Sequence, residues 1–172
     1  MKTYLSFETK RLLLKPMSKE DAPFLLELFN TPKWIKYIGD RNVHSIKDAE
    51  NYIDLKMTPQ LIKLGYSNYT VIRKEDSAKI GTCGLYDREG LKGVDIGFAF
   101  LPQYEKSGYA LESSLKIKDV AFNNFNLQQI SGITTKENIA SQRLLEKLGL
   151  TFTKIVKIPE DDEDLLLYVL KA

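Results

Sequence analysis

The segment Val94–Glu112 constrains the fold more than any other part of this chain. Apolar residues alternate along its first half, as in a strand with one buried face, and this pattern stops at Leu101-Pro102. Ser107-Gly108 stands six residues further on, and the apolar spacing then becomes helical. A strand that turns directly into a helix N-terminus gathers unpaired backbone N–H groups around one point. The segment therefore predicts an anion site, and phosphate is the usual occupant of such sites.

Short apolar runs bounded by turn residues alternate with amphipathic segments along the rest of the chain. They predict strands at residues 11–15, 69–72, 80–86, 94–101, 129–133, 152–158 and 165–170, and helices that begin at Ser18, Ser45, Gly108 and Asn138. Gly149 is expected to end the last helix, and the acidic stretch 160–164 to form the turn of a final hairpin. The order β-α-α-β-β-β-α-β-α-β-β predicts an α+β domain with a mixed, mostly antiparallel central sheet flanked by helices.

The composition indicates a globular protein and argues against nucleic-acid and membrane partners. The 172 residues are 43% hydrophobic and 28% charged, which is typical of a globular protein, and we expect residues 1–172 to form a single domain. The formal net charge is only +2, with Lys and Arg dispersed among acids, which argues against a nucleic-acid partner. The sequence has no window of about 20 apolar residues, so no membrane partner is expected.

The single cysteine and the single histidine limit the chemistry further. Cys83 has no second cysteine to pair with, which fits a reducing compartment. The first 16 residues lack the apolar run of a signal peptide, so a cytoplasmic protein is expected. His44 alone leaves too few ligands for a histidine-based metal site, and no metal is expected. The oligomeric state stays open, with a homodimer among the options.

Three segments resemble those of GNAT-type N-acetyltransferases, and in particular the branch of ribosomal-protein N-terminal acetyltransferases (the Rim-type branch). Residues 9–14 resemble the first strand of that branch, residues 101–112 its acetyl-CoA diphosphate loop, and residues 138–149 its second cofactor segment. The predicted element order also matches that fold nearly end to end. Lys106 departs from the family loop, Gln/Arg-x-x-Gly-x-Gly/Ala, because it stands where the first glycine is usual. A lysine adopts positive φ at a cost of roughly 1 kcal/mol, but its ammonium is an additional partner for a phosphate.

The resemblance implies acetyl-CoA as the co-substrate and assigns most of its contacts to the backbone. The diphosphate is expected on the N–H groups from Lys106 to Ala110, with the helix dipole behind them. The pantetheine arm is expected beside the end of the preceding strand, much like an added strand, where one N–H polarises the thioester carbonyl. The residues expected to contact the co-substrate are Phe98, Ala99, Phe100, Gln103, Lys106, Ser107, Gly108, Tyr109, Ala110 and Asn138.

Three side chains are candidates for proton transfer. Asp95 is the first candidate for the base that accepts a proton from the amine, and Glu105 is a weaker one. The alternatives for Asp95 are a solvated strand residue or an ion pair. Many relatives carry a tyrosine seven residues after the asparagine, but Leu145 stands there. Ser141 is therefore the candidate proton donor to the leaving thiolate, as in the ribosomal branch, and its alternative is an ordinary exposed helix serine. Direct transfer in a ternary complex is expected, because Cys83 lies inside a strand pattern and suits an acyl carrier poorly.

The sequence leaves the identity of the acceptor open between several hypotheses. The leading candidate acceptor is a protein N-terminal α-amine. Its pKa is near 8 and that of a lysine-like amine is ~10, so the α-amine loses its proton more easily at neutral pH. The alternatives are a small amine (a polyamine, an amino acid derivative or an aminoglycoside) and a non-catalytic acyl-CoA-binding domain. Trp34 and Tyr37 are expected either at the acceptor mouth or in ordinary packing. The acidic stretch 160–164 is either a solvated turn or a negative rim that attracts cationic acceptors.

Overall fold

The computed structural model describes residues 3–172 and builds them around one sheet. The strands are β1 (Phe7–Glu8), β2 (Leu12–Pro16), β3 (Asn68–Arg73), β4 (Lys79–Tyr86), β5 (Val94–Phe100), β6 (Gln129–Thr135), β7 (Thr151–Ile158) and β8 (Asp161–Lys171). The α-helices are α1 (Ala22–Phe29), α2 (Pro32–Tyr37), α3 (Ile46–Tyr52), α4 (Thr58–Leu64), α5 (Tyr109–Asn123) and α6 (Ile139–Lys147). Across these residues the strand order is β1-β2-β3-β4-β5-β6-β8-β7, and every neighbouring pair is antiparallel except β5 and β6. The predicted α+β class and mixed, mostly antiparallel sheet are confirmed.

The helical region between β2 and β3 has more parts than the sequence predicts. Helix α1 ends at Phe29, and Pro32 begins α2 three residues later, because proline suits the first turn of a helix. Thr31 caps this helix by accepting a hydrogen bond from the backbone N–H of Trp34 (3.4 Å). The helix predicted after Ser45 continues as α3, a π-helical turn at Ile53–Met57, and α4.

The final hairpin turns more tightly than predicted. Ile158 pairs with Asp161, so the turn comprises only Pro159-Glu160 and β8 begins at Asp161. The acids at 162–164 are exposed strand residues and do not belong to a turn, which corrects the predicted extent of the acidic turn. An acidic run resembles a loop in sequence, but exposed strand positions accommodate charge equally well once the strands pair.

The core consists of two hydrophobic clusters. The larger one fills the space between the sheet and helices α5 and α6, and it includes Leu12, Val71, Leu85, Ile117 and Leu145. The smaller one packs α1 and α3 together with the π-helical turn. Burial of these side chains is the main favourable contribution to folding. It also fixes the helices that border the site described below.

The pairing between β5 and β6 ends after two residues. Val94 lies opposite Ile130 and Asp95 opposite Ser131, and no further partners join the two strands within the described residues. Beyond this point β5 stays paired with β4 as far as Phe100, and β6 stays paired with β8 along its whole length. The strands therefore separate in a V, which leaves one backbone edge of each without a partner strand.

The turn after β5 contains two left-handed residues. Lys106 has a φ of 59° and Gly108 a φ of 81°, and α5 begins immediately afterwards at Tyr109. The predicted sequence of strand, turn and helix is confirmed. The structure also shows that Lys106 adopts the conformation for which glycine is favoured.

This conformation should make a glycine at position 106 more stabilising than an alanine, the opposite of their usual order. Because φ is positive there, we expect Lys106→Gly to be more stable than Lys106→Ala by about 1 kcal/mol. Glu105 is the matched control, since its φ of −72° is ordinary and Glu105→Gly should be less stable than Glu105→Ala by about 0.5–1 kcal/mol. Urea unfolding of the four variants gives both differences. A Lys106→Ala variant more stable than Lys106→Gly would contradict the assigned conformation.

Candidate active site

A cleft of about 410 Å³ opens where β5 and β6 separate. Its lining comes from β4, β5, β6 and α6, from helices α2, α3 and α4, and from the turn of the final hairpin. Of the predicted site residues, the lining includes Asp95, Phe98, Ala99, Asn138 and Ser141. The others continue along the chain from the end of β5 into the first turn of α5, and they are Phe100, Gln103, Lys106, Ser107, Gly108, Tyr109 and Ala110. Five of the predicted residues thus share the cleft, and the other seven lie between the end of β5 and the first turn of α5 without belonging to the cleft lining.

Asp95 lies at the point of the V and is buried, with 2% of its side chain exposed. Its carboxylate accepts a hydrogen bond from Arg88 Nε at 2.9 Å. Burial raises the pKa of Asp95, while the charge and hydrogen bond of Arg88 act in the opposite direction. The guanidinium of Arg88 also stands over the ring of Tyr86 and lies 3.8 Å from a carboxylate oxygen of Glu160. Asp95 is therefore a desolvated carboxylate held in place by one partly buried partner.

Asn138 and Ser141 lie together at the start of α6. Asn138 is the N-cap, and its Oδ1 accepts a hydrogen bond from the backbone N–H of Ser141 at 3.2 Å. The predicted capping role of Asn138 is confirmed. Within residues 3–172, neither the Asn138 side-chain NH₂ group nor the Ser141 hydroxyl forms a hydrogen bond. Both groups border the cleft and are available to a ligand.

The cleft lining includes an apolar side chain, Leu145, and a buried hydroxyl without a hydrogen-bond partner, that of Thr135. Leu145 is fully buried and stands at the position where the resemblance would place a tyrosine. Gly132 makes room for it, since a Cβ at that position would lie 2.4 Å from Leu145 Cδ2. Thr135 is 5% exposed and its hydroxyl has no hydrogen-bond partner in the described chain. Sequence reasoning missed Thr135, although its place just before the N-cap of α6 is a usable signal.

Aromatic side chains form the opposite part of the cleft lining. Trp34 stacks on Phe29 with ring centroids 4.0 Å apart, and Tyr52 meets Phe29 edge-on at 5.1 Å. Trp34, Tyr37 and Tyr52 all border the cleft, and Trp34 is at the same time packed on Phe29, so a role of Trp34 and Tyr37 toward the acceptor stays a prediction.

Tyr86 was also missed by sequence reasoning. Its hydroxyl donates a hydrogen bond to Asn68 Oδ1 at 2.5 Å, and both residues border the cleft. Its ring lies against Gly97, where a Cβ would be 2.6 Å from Tyr86 Cε2. The glycine in the middle of β5 is the sequence signal for this close approach.

The charges around the cleft are mostly negative. Its lining includes five acids, Asp87, Glu89, Asp95, Glu160 and Asp161, and three bases, Arg41, Lys56 and Arg88. Of the acidic stretch 160–164, only Glu160 and Asp161 belong to the lining.

The left-handed turn adjoins the open end of the V. Lys106, Ser107 and Gly108 are exposed, and Tyr109 is buried beneath the guanidinium of Arg11 at 4.3 Å from the ring centroid. The first backbone N–H groups of α5 follow directly, and such groups have no partner inside the helix. This arrangement suits an anion with several oxygens.

Neither a metal centre nor a membrane segment is found in residues 3–172. Over this range, no three His, Cys, Asp or Glu side chains are grouped closely enough to hold a metal ion. Over the same range, no helix has both the length and the apolar character needed to cross a bilayer.

Known proteins resemble this chain in sequence and in fold. The N-acetyltransferase p20 of Bacillus licheniformis is 32% identical over 144 residues, which are 82% of this chain and 79% of that protein. An acetyltransferase from Agrobacterium tumefaciens has a TM-score of 0.83 at 20% identity, covering 100% of this chain and 97% of that one. A ribosomal L7/L12 alpha-N-protein acetyltransferase in complex with coenzyme A has a TM-score of 0.81 at 15% identity, covering 97% of this chain and 98% of that one.

The sequence profile of the acetyltransferase (GNAT) domain matches residues 11–151, which is well over half of the chain. The match spans the V between β5 and β6, the left-handed turn and the N-cap of α6. The chain belongs to the GNAT acetyltransferase domain family, and it is an acetyl-CoA-dependent N-acetyltransferase.

Proposed function

We propose that this protein transfers the acetyl group of acetyl-CoA directly to a primary amine within a ternary complex, and that a protein N-terminal α-amine is the favoured acceptor. One observation carries the proposal: the separation of β5 and β6 opens a cleft that Asp95 and Ser141 line, and the left-handed turn follows β5 in the chain. The donor requires an anion site, a slot for its amide-bearing arm and a place for its thioester, and we assign these to the turn, to the open edge of β5 and to the cleft.

The turn before α5 suits the diphosphate of the donor. The backbone N–H groups from Lys106 to Ala110 lie at the N-terminus of a 15-residue helix, whose dipole favours negative charge there. Gln103 stands at the start of the same turn as a further polar contact. The exposed ammonium of Lys106 adds a modest attraction that salt screens.

The open edge of β5 suits the pantetheine arm. Backbone groups of Ile96–Phe100 on the side of β6 have no partner strand, so the amides of the arm can pair with them as a further strand would. The unpaired side-chain NH₂ group of Asn138 faces the same space and can donate to a carbonyl of the arm. A backbone N–H from Phe98 to Phe100 then meets the thioester oxygen and stabilises its negative charge during attack.

Two proton transfers complete the reaction. The neutral amine attacks the thioester carbon, a C–N bond forms and the C–S bond breaks. Asp95, through water, accepts the proton that the amine nitrogen loses, and Ser141 donates one to the departing thiolate. Water then returns a proton to Ser141 and takes the one from Asp95, so both groups regain their starting state. Cys83 takes no part, because it is fully buried and burial raises its pKa to about 11.

The acceptor assignment has two supports. At neutral pH a larger fraction of an α-amine than of a lysine-like amine is already in the neutral, nucleophilic form. The fold is also shared with a protein that acts as a ribosomal L7/L12 alpha-N-protein acetyltransferase. A small amine is the second candidate acceptor, and the excess of acids in the cleft lining favours it, because a polyamine carries several positive charges.

Two measurements test the proposal. Calorimetry with coenzyme A should show one binding site, and a thiol-release assay with acetyl-CoA should give turnover with short peptides that have free N-termini. Polyamines and aminoglycosides form the comparison arm of the same assay. Binding of coenzyme A without thiol release on any acceptor would refute the transfer reaction, and turnover confined to small amines would replace the peptide acceptor.

Ser141 should affect the chemical step and leave donor binding unchanged. We expect Ser141→Ala to lower kcat about 10²-fold, because the thiolate then leaves without a proton donor, with KM for acetyl-CoA within about twofold of wild type. Ser141→Thr keeps a hydroxyl and should retain most of the rate. Cys83→Ala is the control and should turn over at the wild-type rate. A Ser141→Ala enzyme with wild-type kcat would remove this residue from the mechanism.

Asp95 should determine the acidic limb of the pH profile. Since burial raises its pKa above the ordinary 3.8, the rate should increase as pH rises through that higher value. We expect Asp95→Asn to lower kcat about 10²-fold and to abolish this limb. Asp95→Asn removes the closer of the two carboxylates beside the partly buried Arg88, so the variant Asp95→Asn/Arg88→Met is needed beside it. Recovery of activity in that double variant would show that Asp95 only balances Arg88 and is not the base.

The acids in the cleft lining should favour cationic acceptors. Neutralising them with Glu160→Gln/Asp161→Asn should raise KM about fivefold for a peptide with lysine at its second position, and have little effect with alanine there. The matched control is Asp162→Asn/Glu163→Gln, which removes the same charge outside the cleft. Equal effects of the two double variants would mean that the acids act only through the net charge.

A further inference from the structure

A group of hydrogen bonds outside the cleft ties the turn between β1 and β2 to the first turn of α5. The Glu112 carboxylate accepts hydrogen bonds from the Thr9 hydroxyl (2.6 Å), the Arg11 backbone N–H (2.9 Å) and Arg11 Nε (2.7 Å). Arg11 Nη1 also donates to the backbone carbonyl of Ser107 at 3.0 Å. We call this group of Thr9, Arg11, Ser107 and Glu112 the clamp. It joins residues that are about 100 positions apart in the chain to the left-handed turn.

The clamp holds the turn from both sides of Gly108. Arg11 bonds Ser107 before it, Glu112 accepts hydrogen bonds after it, and the Arg11 guanidinium covers the ring of Tyr109. The approach is close, because a Cβ at Gly108 would lie 3.3 Å from Arg11 Nη2. A guanidinium makes these contacts together because its donors form a rigid planar fork, whereas an ammonium is a single point.

The clamp also neutralises the negative charge of Glu112, which would be unfavourable beside a bound anion. Glu112 is an acid in the first turn of α5, where it stabilises the helix but repels a second anion bound at the same N-terminus. Burial acts to raise the pKa of Glu112, but the hydrogen bonds from Thr9 and Arg11 outweigh it and lower the pKa, so the carboxylate is charged at neutral pH. Arg11 neutralises this charge at a separation of 2.7 Å.

We infer that Arg11 is a positioning residue for the diphosphate of the donor, acting through Glu112 and the Ser107 carbonyl. The inference rests on the proposed binding of acetyl-CoA at the turn. Arg11 fixes the backbone that presents the N–H groups, and it cancels the charge that would oppose the diphosphate. The thioester and the acceptor lie beyond its reach, so its effect is confined to the part of the donor that carries phosphate.

A truncated donor separates this role from a general effect on the fold. We expect Arg11→Lys, which keeps the charge but loses the fork, to raise KM for acetyl-CoA about tenfold with kcat within about twofold of wild type. With S-acetylpantetheine, which lacks the diphosphate and the nucleotide, kcat/KM of the variant should equal that of wild type within about twofold. Lys10→Gln is the matched control, because Lys10 is the exposed cation next in the chain. It should leave both donors unaffected.

Each outcome has a distinct meaning. Equal losses with the two donors would overturn the inference, since Arg11 would then support the fold as a whole. Unchanged kinetics with acetyl-CoA, or an equal loss in Lys10→Gln, would also overturn it, leaving either no role or a simple charge effect. A wild-type protein that fails to bind coenzyme A would refute the proposed function itself, whereas normal wild-type binding with an unaffected Arg11→Lys variant would refute only the role of Arg11.

Discussion

The early end of the pairing between β5 and β6 is the constraint on which the rest of the site depends. Each strand stays paired on its other side, β5 with β4 and β6 with β8, while the two have no pairing with one another beyond Asp95 and Ser131. Backbone N–H and C=O groups require hydrogen-bond partners, and an open edge inside a domain is a place where another extended chain can supply them. The same opening is bordered by the start of α6, and β5 leads from it along the chain to the turn before α5.

The charge arrangement at the point of the V follows from burial. A carboxylate taken out of water is costly unless a charged partner and hydrogen bonds compensate it. Arg88 meets that requirement for Asp95, and it also reaches toward Glu160 on the final hairpin. Strand β5, the segment after β4 and the hairpin turn are therefore connected electrostatically where they border the cleft.

The sequence predicted what depends on local pattern and missed what depends on distant contacts. The strand, turn and helix around Lys106 and the cap at Asn138 follow from residues close together in the chain, and both were predicted. The start of α2 was missed because a proline so soon after the end of α1 resembles a helix break, whereas Pro32 begins a new helix. The partnership of Arg11 with Glu112 joins positions 101 residues apart, and hydrophobic periodicity contains no information about such a pair. The catalytic assignments stay predictions, since residue type and place do not by themselves establish a chemical role.

Leu145 has a consequence for the stability of the donor between turnovers. Its methyl groups are fully buried against Gly132 and form an apolar surface beside Ser141. Water is poorly held at such a surface, because it offers no hydrogen bonds to replace those of the bulk liquid. An acyl thioester resting there would meet few hydroxide ions, so spontaneous hydrolysis would be slow and the acetyl group would be preserved until a nitrogen nucleophile arrives.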